Sequence, residues 1–138
     1  MQKVIIDTNV LVSAMIQRSY PNLIIYNLLF EDLIELCISD EIIEEYIEVL
    51  NRPKFAMHPD FLSKAELVLA QIENKATKYF PSERFEIIPD KNDNKFLELA
   101  FESKADYIIT GNSNDFTMYD FKGTKIISPK EYYENFSF

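Results

Sequence analysis

Glycine is almost absent from this chain, with two in 138 residues. That excludes the glycine-rich loops that cradle nucleotide phosphates. There is one cysteine, Cys37, inside the apolar run Leu36-Cys37-Ile38. It offers no disulfide framework, and a lone thiol in such a run is ordinarily a small core residue. A reducing compartment fits. The single histidine, His58, lies in a proline-rich turn, which argues against a histidine base. Basic residues are also few: 14 Lys and Arg against 23 Asp and Glu, a net charge of −9. A general nucleic-acid binder would be basic. The acid is therefore read as a metal site, as a surface for a basic partner, or, for most of it, as a solvated face. No apolar run approaches the roughly 18 residues of a membrane helix. The chain opens on a strand, not on a charged and then apolar leader, so a cytoplasmic protein is expected.

What is present is ordinary globular composition over a length that suits one domain, residues 1–138. The organising stretch is Val4-Ile5-Ile6-Asp7-Thr8-Asn9-Val10. An apolar strand delivers Asp7 to the point where strand becomes loop, the place where open α/β sheets bind ligands. Helical spacing follows over 10–17 and 22–33, interrupted at Pro21. Leu36–Ile38 is read as strand two, then a helix capped by Ser39 and a longer helix beginning at Asp60. Strand three is expected at Phe85–Ile88, strand four at Tyr107–Thr110 and strand five at Lys125–Ile127. Ser128-Pro129-Lys130-Glu131 reads as a capping box for a final helix. Short apolar strands alternating with helices predict a parallel sheet covered on both faces.

Several acids fall at one edge of that sheet. Asp7 ends strand one. The helix after strand two carries Glu41, Glu44, Glu45 and Glu48, and Glu45 sits closer to the apolar stripe than Glu44, beside Ile42 and Val49. Asp90 and Asp93 precede the helix after strand three. Asn112 follows strand four and can offer a carbonyl oxygen to a hard cation. Taken singly, these are turn, cap and solvent-face residues. Taken together, they are like charges whose repulsion a cation relieves, and Mg²⁺ and Mn²⁺ prefer such oxygen sites. Metal held there suits phosphodiester hydrolysis.

Four stretches, in order, resemble the PIN-domain family, in the branch that includes the toxins of prokaryotic toxin-antitoxin pairs. They are residues 4–10, Ser-Asp-Glu-Ile-Ile-Glu-Glu-Tyr-Ile-Glu-Val-Leu-Asn-Arg-Pro-Lys-Phe at 39–55, Pro-Asp-Lys-Asn-Asp-Asn-Lys-Phe-Leu-Glu-Leu-Ala at 89–100, and Ala-Asp-Tyr-Ile-Ile-Thr-Gly-Asn at 105–112. The resemblance implies a three-layer α/β/α fold with a five-stranded parallel sheet. It also implies metal-dependent ribonuclease activity, an antitoxin partner and frequent homodimers. By motif position Asp7, Glu45 and Asp93 match the family acids that hold Mg²⁺ or Mn²⁺, and Thr8, Asn9 and Thr110 match polar positions around them. The family usually has Asp where this chain has Asn112, and Asp115, three residues on, is a candidate for the missing charge.

Two readings of function follow. One is a metal-dependent endoribonuclease, acting as a toxin on RNA, in which Arg52 and Lys54 are either phosphate contacts or solvated surface. The other, motivated by Asn112 and the acidic surface, is a weak or inactive PIN-like domain that works by protein binding. A phospho-acceptor receiver would need an acid pair at the end of strand one, and Asp7 has no acidic neighbour. An Asp-x-Asp phosphatase is excluded because Asn9 stands two residues after Asp7.

Overall fold

The computed structural model describes residues 1–88, 93–111 and 120–138. Strand β1 (Lys3–Ile6) is followed by α1 (Thr8–Ile16), α2 (Tyr20–Leu23) and a π-helical turn, Ile24–Leu29. Then come β2 (Glu35–Ile38), α3 (Asp40–Leu50), a 3₁₀ turn at Pro53–Phe55, α4 (Phe61–Lys75) and β3 (Thr77–Lys78). The chain continues with α5 (Asn94–Ser103), β4 (Tyr107–Ile109), β5 (Asp120–Phe121), β6 (Thr124–Ile127) and α6 (Pro129–Glu134). Among the described residues no helix is long and apolar enough to cross a membrane.

The described strands form one sheet in the order β3-β2-β1-β4-β6-β5. Five of the six run parallel, and β5 is antiparallel to β6. The three-layer α/β/α fold holds, with one short antiparallel strand added to the five parallel ones. That strand exists because Lys122 and Gly123 both take positive φ, 51° and 95°, and so close a tight hairpin onto β6. Val4, Ile5 and Ile6 of β1, Leu36 and Cys37 of β2, and Ile108 and Ile109 of β4 are buried, as strands covered on both faces require. Connections from β1 to β2 to β3 run one way across the sheet, and α5 carries the chain back to β4. Right-handed crossovers therefore place α5 on the face opposite α1 to α4. The direction of winding reverses between β1 and β4.

The strand expected at Phe85–Ile88 is not one. Among the described residues it pairs with no strand, and the edge position is taken by Thr77 and Lys78, in register with Cys37 and Ile38. The cause is a competition for backbone donors. Phe85 N–H donates to Glu98 Oε2 at 3.0 Å. The N–H groups of Ile87 and Ile88 donate to Asn94 Oδ1 at 3.0 and 2.9 Å, and Asn94 Nδ2 donates back to the Ile88 carbonyl at 3.0 Å. Side chains of α5 thus consume the groups a ladder would need. Glu98 is itself buried and paired with Arg84 at 2.8 Å.

Helix starts follow the expected chemistry at two places. Ser39 Oγ accepts from Ile42 N–H and Ser128 Oγ from Glu131 N–H. Asp60 differs: it precedes α4 in a left-handed conformation, φ 60°, with no side-chain cap bond, and its carbonyl accepts instead from Ser63 Oγ and Lys64 N–H.

Asn94→Ala should lower stability by about 2–4 kcal/mol, because it leaves the buried Ile88 N–H without its acceptor. Urea unfolding should show a lower midpoint with an unchanged slope. A loss under about 0.5 kcal/mol would show that residues 85–88 are held by something other than Asn94.

Candidate active site

The reversal between β1 and β4 opens a crevice at the carboxyl edge of the sheet. Asp7 stands in it, the first residue after β1 and at the N-cap position of α1. Its N–H donates to the Ile109 carbonyl at 3.0 Å, and its own carbonyl accepts from Val10 and Leu11. The backbone of Asp7 is thereby fixed between two strands and a helix. Thr110, the residue after β4, donates its hydroxyl to Asp7 Oδ2 at 2.8 Å. Both residues are buried, Asp7 at 6% exposure. Burial pushes the Asp7 carboxyl above the ordinary carboxylate range; the Thr110 hydroxyl opposes the rise, and the charge of Glu45 adds to it.

Glu45 reaches this crevice from α3. Glu41, Glu44 and Glu48 on the same helix are exposed, whereas Glu45 is half-buried. Ile42, Tyr46, Val49 and Leu50 form the buried stripe of the helix, and Glu45 stands at its border. The Tyr46 hydroxyl donates to the carbonyl of Ile6, one residue before Asp7, and so docks α3 onto the end of β1. Burial, with the charges of Asp7 and Glu45, holds that phenol protonated, far above its usual range. The Thr8 hydroxyl donates to Glu45 Oε2. The other carboxylate oxygen, Oε1, accepts from Lys95 Nζ at 2.5 Å. Lys95 lies in the first turn of α5, so three elements, α1, α3 and α5, meet on one carboxylate.

The structure thus brings together Asp7, Thr8, Glu45 and Thr110. Asn9 is exposed at the mouth of a groove of about 260 Å³ that it lines with Val10, Ser13, Pro21, Gly111 and Pro129. Asp93 is half-buried immediately before α5, two residues from Lys95. Among the described residues, no three Asp, Glu, His or Cys side chains lie close enough to form a ready-made metal shell. Asp90, Asn112 and Asp115 lie outside the described residues. Arg52, just past the end of α3, pairs with exposed Glu48 of that helix, and Lys54 lies over the ring of Phe55. Lys95 carries no site signal in the sequence, although it lies within the family-like stretch 89–100. Tyr46 carries none either, since it reads as one more apolar-stripe residue.

The donors fit a hard divalent cation. They are carboxylate oxygens, at least one of them dehydrated, oriented by hydroxyls and facing like charge. A raised native pKa means that the folded chain holds the Asp7 proton more tightly than the unfolded chain does. Folding stability from this group is therefore present at low pH and is lost as pH rises from about 3.8 through the raised native value. Without metal at pH 7, Asp7→Asn should melt at a higher temperature than the parent chain, and the gap should close as pH falls toward 3.8. Calorimetry over that range checks it; a gap independent of pH would show that Asp7 does not titrate under burial.

Two comparisons bear on this arrangement. A family model described as a PIN domain matches residues 3–114, which takes in β1, α3, α5 and β4. The uncharacterized protein MJ1680 of Methanocaldococcus jannaschii is 32% identical over 145 residues, covering 97% of this chain and 91% of that protein. With a buried Asp at the end of β1, a Glu leaning from α3 and a matched span covering both, the chain belongs to the PIN-domain family, whose members are generally nucleases.

Proposed function

We propose that this protein is a divalent-metal-dependent endoribonuclease that acts as the toxin of a toxin-antitoxin pair. The observation that carries the reading is the meeting of Asp7 and Glu45 where the sheet reverses, inside a PIN domain. Asp7, Glu45 and Asp93 would hold Mg²⁺ or Mn²⁺, with Asn112 or Asp115 completing the donor set. When bound, the ion supplies positive charge for the scissile phosphate and acidifies water for attack.

The rest is done by the chain's own groups. Thr110 keeps Asp7 Oδ2 turned into the crevice, and Thr8 does the same for Glu45 Oε2. Tyr46 prevents α3 from drifting off β1, which would separate the two carboxylates. Asn9 and the groove beside it offer a polar mouth for the nucleotide next to the reacting bond. The net charge of −9 suits a basic antitoxin rather than tight, unassisted RNA binding. Exposed Leu62 and Leu67 on α4 supply apolar surface for a homodimer. A cytoplasmic location goes with an RNA target.

A second reading is favoured by Asn112, which stands where the family usually has Asp: a weak or inactive PIN-like domain that works through protein binding. Metal separates the two, since only the nuclease needs it at Asp7 and Glu45.

The direct test is cleavage of single-stranded RNA with Mn²⁺. Asp7→Asn should lose about 100-fold or more, the several kcal/mol that a metal contributes to such a transition state. Equal cleavage by both proteins would end the nuclease reading. Asn112→Asp should tighten Mn²⁺ binding in a calorimetric titration, and unchanged affinity would place that position outside the shell.

A further inference from the structure

We propose that Lys95 is the built-in counter-cation of the site: it neutralises Glu45 in the metal-free chain, yields that contact to the arriving ion, and then faces the phosphodiester. This rests on the metal-site reading above and assigns a group that the reading does not use.

Three observations support it. Lys95 is the most enclosed cation among the ion pairs of the described residues. Its side chain is 15% exposed, against 23% for Lys75 and 45% or more for Arg52, Lys78 and Arg84. Enclosing an ammonium and a carboxylate together costs hydration that their attraction barely offsets, so the pair is a weak device for stability alone. Second, both oxygens of Glu45 are already engaged, Oε2 by Thr8 and Oε1 by Lys95. A cation that takes Glu45 must displace one of them. Thr8 is anchored by the backbone next to Asp7, whereas lysine is a point charge on a flexible four-carbon stem and is the partner able to leave. Third, the charge count favours it on the ligand set proposed above: Asp7, Glu45 and Asp93, once gathered and ionised around the ion, would with Lys95 carry two negative charges, which one divalent ion cancels. Without the ammonium, the loaded site would keep a negative charge facing a negative phosphodiester.

The test uses the full chain freed of metal with a chelator, and the variants Lys95→Met, Lys95→Arg and Asp7→Asn. In calorimetric titration with MnCl₂, Lys95→Met should bind about tenfold tighter than the parent chain, because a positive charge a few ångströms from the ion is gone. Lys95→Arg should stay near the parent value. Lys95→Met should also melt lower without metal and gain more from saturating Mn²⁺, which a merely structural lysine would not produce. With Ca²⁺ saturating, Lys95→Met should bind a short single-stranded RNA about tenfold more weakly, and Lys95→Arg should retain it.

Unchanged or weaker Mn²⁺ binding by Lys95→Met, while Asp7→Asn loses Mn²⁺, would overturn the role of Lys95 and leave the metal site standing. Equal Mn²⁺ binding by Asp7→Asn and the parent chain would bring down both. Unchanged RNA affinity in Lys95→Met would overturn the phosphate-facing role.

Discussion

The structure turns on one carboxylate held almost without water. Asp7 cannot leave the crevice, because its backbone is fastened to β4 on one side and opens α1 on the other. Its side chain has the Thr110 hydroxyl for company and the charge of Glu45 as a neighbour. A buried acid so placed is unfavourable for folding at neutral pH unless positive charge comes near it. Strained electrostatics of this kind gather at functional sites more than at structural ones. Most of what surrounds Asp7 is organised around that constraint.

The elements that position the site come from distant parts of the chain. Winding one way from β1 to β3 and back through α5 to β4 is what makes the crevice. Tyr46 ties α3 to the last residue of β1, so Glu45 is delivered by a helix that cannot slide. Asn94 ties Ile87 and Ile88 to the start of α5, the helix that carries Lys95 to Glu45.

Much of this was legible in the residues. The apolar run ending in Asp7 reads as a buried strand with a polar end, and the stripe on α3 put Glu45 at its border and Glu44 outside, as the structure has them. Serine caps at Ser39 and Ser128 were equally readable, since capping depends on a few neighbouring atoms. The edge strand was not. Thr77-Lys78 is too short and polar to show a period, and Phe85–Ile88 has every local mark of a strand. Its loss to Glu98 and Asn94 depends on side chains some ten residues away, which no local pattern contains. The hairpin at Lys122-Gly123 was missed for a similar reason, because the left-handed turn carries the information and the two-residue strand carries none. Lys95 was invisible as a site residue because its meaning arises only when α5 meets α3.

The account makes the site a place where separate carboxylates are reconciled by positive charge, a lysine first and a divalent ion in its stead. Anomalous diffraction from crystals grown with Mn²⁺ addresses this most directly. The account predicts a manganese peak about 2.0–2.2 Å from carboxylate oxygens of Asp7, Glu45 and Asp93, with the Lys95 amine withdrawn from Glu45. A manganese peak elsewhere on the molecule, with Lys95 still seated on Glu45, would contradict it.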